Sequence, residues 1–306
     1  MRAILAALRH APAPPLHRIA AVASGWERWP WIAGALVAAA AAILLVLWLR
    51  RRRRPRWPLR PRRRGPRHPV VLAHGLLGFD EIRIGRARTD YFRGVSARLE
   101  REGCVVHRCR VAKTASIAAR AAELAAFVNE IDARRVNLVA HSMGGLDARY
   151  ALAKLGLRRK VASLVTIGTP HRGTPLADLG AGLAARGVLG ALRRIGVDLD
   201  ALHDLTTPRM VAFNRVVGDA PGVHCASVVG APLRRRDVSP VLVPTFLWLG
   251  EIAGANDGMV PAASQRWGEV ISEIGADHFA QIGWSHRFDA AAFYAELLRE
   301  LRGRGL

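Results

Sequence analysis

Residues 136–145 read Val-Asn-Leu-Val-Ala-His-Ser-Met-Gly-Gly, and no other stretch constrains the fold as tightly. The apolar run from Val136 to Ala140 suits a buried strand, while Leu146, Ala148, Tyr150, Ala151 and Leu152 follow with helical spacing. A tight small-x-Ser-x-Gly turn between strand and helix is a nucleophile elbow: it strains the serine backbone and lifts the Ser142 hydroxyl clear of the sheet. Strand and helix nearly touch there, so the residues two before and two after must be small. Here they are Ala140 and Gly144, with Gly145 next; Ala140 replaces the more frequent glycine, a steric loosening the turn tolerates. An isolated Ser-x-Gly recurs by chance. The strand before it and the helix after it are what make this one an elbow.

An activated serine needs a base, a group to orient that base, and donors for a developing oxyanion. Pro69 to Ala73 reads as a buried strand running into His74-Gly75-Leu76-Leu77-Gly78-Phe79-Asp80. Alone this is an ordinary glycine-rich turn. Beside an elbow it is an oxyanion loop, with the backbone amides of Leu76 and Met143 as the expected donors. The expected base is His278, in a loop ahead of the C-terminal helix; position selects it from eleven histidines, over His171, His224 and His286. The expected acid is Asp257, in Gly254-Ala255-Asn256-Asp257-Gly258, although Asp-Gly is also a common turn signal. Asp277 is the rival, but adjacent side chains on an extended loop point apart, which makes it a poor orienter of His278. The order Ser, Asp, His is that of an α/β-hydrolase.

These stretches, with Val165-Thr166-Ile167-Gly168-Thr169-Pro170-His171-Arg172-Gly173-Thr174, resemble the triacylglycerol lipases of the Pseudomonas and Burkholderia type, in matching order over about residues 68 to 300. The resemblance implies Ser142 as nucleophile, Asp257 as orienter, His278 as base, and Leu76 and Met143 as oxyanion amides. Two departures stand out. Those lipases hold a structural calcium partly through a carboxylate two residues after the base, and here that residue is Ala280; calcium needs several oxygen ligands, so no metal is expected. Their single disulfide is not expected either. Of the three cysteines, Cys104 and Cys109 share one short segment whose ends, if extended, lie ~16 Å apart, and Cys225 has no evident partner.

Residues 1–30 form an N-terminal extension rich in Ala, Pro and Arg. The next segment, Trp31 to Leu49, carries no charge. As a helix its length is ~28 Å, close to the ~30 Å hydrocarbon core of a membrane. Trp26, Trp29 and Trp31 mark one interface and Trp48 the other. The span starts too late and runs too long for a cleaved signal peptide, so a single transmembrane helix is expected. Residues 50–68 alternate Arg with Pro, as a stiff basic linker suited to anionic headgroups. Residues 1–67 contain fifteen Arg and one acid, and so supply +14 of the +22 net charge. The high charge is therefore concentrated at the membrane segment and is no argument for nucleic-acid binding, for which neither a recognition helix nor an aromatic stacking sheet is evident. Eleven Arg closely follow the span against four before it, which places the following domain on the cytoplasmic face of a bacterial inner membrane; the exported habit of the lipases argues for the periplasmic side.

Beyond the elbow, helices are expected over 91–102, 116–131 and 288–301, and strands over 105–111, 161–167 and 223–229. This alternation predicts an α/β-hydrolase fold over 69–306, a mainly parallel sheet with helices on both faces, preceded by one transmembrane helix. Residues 176–205, glycine-rich with spaced leucines, read as a helical lid over an acyl pocket or as an ordinary surface helical pair; 233–249 reads as a second cap-like insertion. The expected function is a serine ester hydrolase (lipase or esterase) that acts on a lipid-like acyl ester without a cofactor. Acyl transfer or thioester cleavage on the same residues is the near alternative. A non-catalytic membrane-anchored binding module is the distant one, and degenerate hydrolases of that kind usually lose the Ser or the His.

Overall fold

A computed structural model describes residues 66–76, 81–84, 87–112, 115–185 and 200–306. The extension, the span expected over 31–49 and most of the linker lie outside the described residues, as do 186–199 of the expected lid. Among the described residues no helix is long and apolar enough to cross a membrane.

Eight strands are formed: β1 Val70–Ala73, β2 Glu81–Ile84, β3 Ala87–Asp90, β4 Val106–Cys109, β5 Val136–His141, β6 Val161–Ile167, β7 His224–Gly230 and β8 Glu269–Ile274. Six make one parallel sheet in the order β4-β1-β5-β6-β7-β8, and β2 with β3 forms a separate antiparallel hairpin. The register pairs Ala73 with Ala140, and Ala140 with Thr166. The carboxyl ends of β1, β5 and β6 are therefore level, and the loops that leave them, at His74, Ser142 and Gly168, share one edge. Ligands of open parallel sheets bind at such an edge.

Nine helices are described: α1 Val95–Arg101, α2 Ile117–Glu130, α3 Met143–Lys154, α4 Pro175–Ala185, α5 Asp200–Asp204, α6 Thr207–Val216, α7 Val243–Ala253, α8 Ala262–Gln265 and α9 Ala290–Gly303. Strand side chains alternate faces, and the core divides accordingly. Val70, Leu72, Val139, Val165 and Ile167 pack on one face against α1 and α9, through Val95, Leu99, Tyr294, Leu298 and Leu301. Val71, Ala73, Leu138, Ala140 and Leu164 pack on the other against α2 and α3, through Ala121, Leu124, Val128, Ala148 and Leu152. Because both faces are covered, the central strands read as mainly apolar runs, interrupted by the buried Asn137, Ser163 and Thr166. Each fully buried leucine contributes roughly 1.5–3 kcal/mol relative to exposure. Local capping sets helix starts: Ser116 Oγ accepts from the Ala119 amide at 3.4 Å, and Asp289 Oδ1 from the Ala292 amide at 2.9 Å.

Several boundaries differ from the sequence expectation. The helix expected from Tyr91 starts at Val95, because Gly94 takes a left-handed φ of 75° while Tyr91 and Phe92 turn into the core. The strand expected over 105–111 is shorter, Val106–Cys109. The hairpin β2–β3, the helix α6 and the edge strand β8 were not anticipated. Strand β8 carries Glu269 and Glu273, both exposed, and lacks the apolar run that marks a central strand. The insertion at 233–249 continues into α7, and Thr245 Oγ1 donates to the Gly258 carbonyl at 2.6 Å, which ties that helix to the loop carrying Asp257. The three cysteines are free thiols, and burial pushes Cys104 and Cys225 up to about 11 and Cys109 up to about 12.

Candidate active site

Ser142 stands between β5 and α3 with φ 56° and ψ −133°, and among the described residues it is the only non-glycine with positive φ. A non-glycine residue stays in that region only when its surroundings over-determine it. Here they do: the Ser142 amide donates to the Ile167 carbonyl at 2.9 Å, and Thr169 Oγ1 donates to the Ser142 carbonyl at 2.8 Å. Close packing dictates the neighbouring glycines. A Cβ at Gly144 would sit 2.7 Å from the His74 carbonyl oxygen, and one at Gly75 would sit 2.6 Å from Ser142 Cβ. The loop after β1 therefore lies directly against the serine.

The loop after β7 and α7 brings Asp257, and the loop after β8 brings His278. His278 Nδ1 pairs with Asp257 Oδ2 at 2.8 Å, and the His278 amide donates to the Asp257 carbonyl at 2.9 Å. Asp257 is fully buried, and its Oδ1 accepts from the amides of Met259 at 2.9 Å and Val260 at 2.7 Å. The carboxylate is thus aimed before any substrate arrives. The His278 ring lies 4.5 Å, centroid to centroid, from that of His141, the residue just before Ser142. Asp277 faces elsewhere: its carboxylate accepts from the amides of Phe279, Ala280 and Ser239 and shapes the loop. His171 is buried beside Arg149 and stacked on Trp267, while His224 lies on the surface beside Glu269 and Arg304. Neither reaches the serine loop through any of these contacts.

Leu76 follows Gly75, and Met143 opens α3, where the first amides have no intrahelical carbonyl to bond. Their side chains join one apolar cluster with Ala177, Ala201 and Leu205, which places α4 and α5 over the start of the elbow helix. A residue not singled out from sequence, Arg120 of α2, braces the adjoining loop. It is completely buried and donates to the His74 carbonyl at 2.8 Å, to the Gly75 carbonyl at 3.3 Å, and to Asp147 Oδ2 on α3 at 2.8 Å. Burial raises the Asp147 carboxyl to about 7 against the pull of that guanidinium. Breaking the pair strands a buried charge, which typically costs about 3–5 kcal/mol. Asp147→Ala is accordingly expected to lower unfolding free energy by about that amount, read as a fall in urea midpoint with an unchanged slope.

A second set of residues also escaped the sequence reading. Gln281 Nε2 donates to Asp257 Oδ2 at 3.0 Å, and Gln281 Oε1 lies 3.2 Å from His141 Nε2. His141 Nδ1 is 2.8 Å from the Tyr91 hydroxyl, which accepts from the Gly75 amide at 3.3 Å. All four side chains involved are buried. The site as a whole holds a serine on a strained backbone, a histidine paired with a buried carboxylate, and a braced loop after β1. Such a set can deprotonate an alcohol and hold the negative charge that its attack on a carbonyl creates.

The chain is similar to several known proteins. A family model described as a PGAP1-like alpha/beta domain matches residues 123–183, the segment from α2 through the elbow into α4. Triacylglycerol lipase 2 of Saccharomyces cerevisiae is 30% identical over 270 residues, covering 72% of this chain and 82% of the relative. A triacylglycerol lipase of Burkholderia plantarii is 32% identical over 276 residues, covering 67% and 76%. Among solved structures, the mature Bacillus licheniformis lipase BlEst2 superposes with a TM-score of 0.61 at 25% identity, over 78% of this chain and 94% of that one. The metagenomic carboxyl esterase MGS0156 shares the fold with a TM-score of 0.67 at 21% identity, over 82% and 79%.

Proposed function

The chain belongs to the triacylglycerol lipase family and is a serine carboxylic ester hydrolase of lipid substrates, and we propose that Ser142, His278 and Asp257 perform its chemistry. In this reading Ser142 Oγ attacks the ester carbonyl while His278 Nε2 takes its proton. Asp257 holds the Nδ1–H, which leaves Nε2 as the nitrogen free to accept a proton. The amides of Leu76 and Met143 receive the oxyanion; as backbone groups they need no reorganisation when charge develops. The imidazolium returns its proton to the leaving alcohol, an acyl-enzyme remains, and water activated by the same histidine releases the acid. The observation that carries the assignment is the strained backbone of Ser142, whose neighbour His141 has its ring 4.5 Å from that of a histidine paired with a buried carboxylate. The test is covalent: a fluorophosphonate must label the protein at one site, and peptide mapping must put that site on Ser142. Labelling at another serine would overturn the assignment. The packing of α4 and α5 on Met143 and Leu146 supports a cap role for 176–205 in this reading.

We further propose that residues 31–49 cross a bacterial inner membrane once and leave the hydrolase unit on its cytoplasmic face. The uncharged length, the flanking tryptophans and the eleven arginines that follow support this. The expected result is resistance to alkaline extraction, with a C-terminal alkaline phosphatase fusion inactive and a C-terminal fluorescent fusion bright. An active phosphatase fusion would instead place the unit in the periplasm.

A further inference from the structure

We propose that Gln281 is a positioning residue that ties the orienting acid to the oxyanion loop through one hydrogen-bond chain, Gly75–Tyr91–His141–Gln281–Asp257. The inference rests on the assignment of Ser142, Asp257 and His278 above.

The chain has one direction. It ends on a carboxylate, which only accepts, so the Gln281 amide must present its NH2 to Asp257 Oδ2 at 3.0 Å. Gln281 Oε1 is then the group facing His141 Nε2 at 3.2 Å, so that nitrogen carries the proton. His141 is neutral, because burial and then the adjacent His278 hold it well below the ordinary histidine range. With its proton on Nε2, Nδ1 accepts from the Tyr91 hydroxyl at 2.8 Å. Burial holds Tyr91 well above its usual range, so that hydroxyl keeps its proton, and its oxygen in turn accepts the Gly75 N–H at 3.3 Å. Every hydrogen bond along the chain then runs in one consistent sense, and the Gln281 NH2 also donates to the Ala276 carbonyl at 3.3 Å.

The fold makes room for this. Gln281 is fully buried, and its amide lies between Gly168, which follows β6, and Gly230, which ends β7. A side chain at either glycine would overlap the amide, and one at Gly168 would also come within 3.2 Å of Asp257 Oδ2. The glycine of the Gly168-Thr169-Pro170-His171 string thus has a use outside its turn. The consequence is mechanical coupling. The oxygen of Asp257 that bonds His278 is shared with Gln281, and the amide next to Leu76 is held by Tyr91. Cutting the chain at either end loosens both.

The first measurement needs no variant. Histidine 15N shifts of the intact protein should show His141 as the Nε2–H tautomer; an Nδ1–H tautomer overturns the chain. Tyr91→Phe removes the only hydroxyl and should lower the Nε2–H fraction, reduce kcat about tenfold and leave KM within about twofold. Gln281→Met, similar in size but without the amide, should do the same. The double variant should fall no further than the worse single one, because both cut one chain. Losses that multiply, or full kcat in folded single variants, overturn the proposal. Wild-type activity in Ser142→Ala overturns the parent assignment instead, and that outcome leaves the His141 tautomer unchanged.

Discussion

Ser142→Ala is expected to reduce kcat on p-nitrophenyl esters by about 10⁶, to the residual level that oxyanion donors and binding supply alone. The magnitude follows from the way a nucleophile, its base and its orienter act as one unit, so that loss of the serine removes the covalent route entirely. Stability should change little. The strain at φ 56° belongs to the turn and is held by Ile167 and Thr169, not by the hydroxyl. Chain-length preference in the wild type, from short to long acyl esters, then separates a lipase from a short-chain esterase. Activity in Ser142→Ala comparable with wild type would remove the elbow from the mechanism.

Asp257→Asn is expected to reduce kcat by about 10⁴ with little change in KM. The carboxylate uses Oδ1 for the amides of Met259 and Val260 and Oδ2 for His278. An asparagine that keeps the two amide bonds must turn its NH2 toward His278 Nδ1. That forces the imidazole to carry its proton on Nε2, the nitrogen proposed to take the serine proton, which then cannot accept one. The same NH2 meets the Gln281 amide donor, so the substitution also strains the chain behind it. Asp277→Asn provides the contrast. Its carboxylate serves only loop amides in the hydrogen bonds described, so its kcat should stay within about tenfold of wild type. Steady-state kinetics on both variants decide between the two acids, and equal losses would mean that neither is the orienter.

Much of this was legible from the chain itself because it is short-range chemistry. A tight turn needs small residues beside Ser142, a buried parallel strand needs an apolar run, and an N-cap needs a residue such as Ser116; each requirement is met within a few positions. The extent of β6, Val161–Ile167, could be read in that way. So could the pairing of His278 with Asp257 and not with Asp277, since adjacent side chains on a loop diverge. Strand β8 could not, because an edge strand with exposed glutamates has no apolar run to announce it.

What the sequence determined by itself was therefore the local geometry: the elbow, the order of Ser142, Asp257 and His278, and the alternation that builds a two-faced parallel sheet. Only the tertiary structure decided which polar residues support them. Arg120 bonds carbonyls forty-five and forty-six positions away, and Gln281 meets His141 across one hundred and forty. In the sequence an arginine on a helix or a glutamine in a loop looks like any surface residue. Each becomes part of the site because a buried donor must find an acceptor once packing has excluded water, and the fold decides which one is within reach.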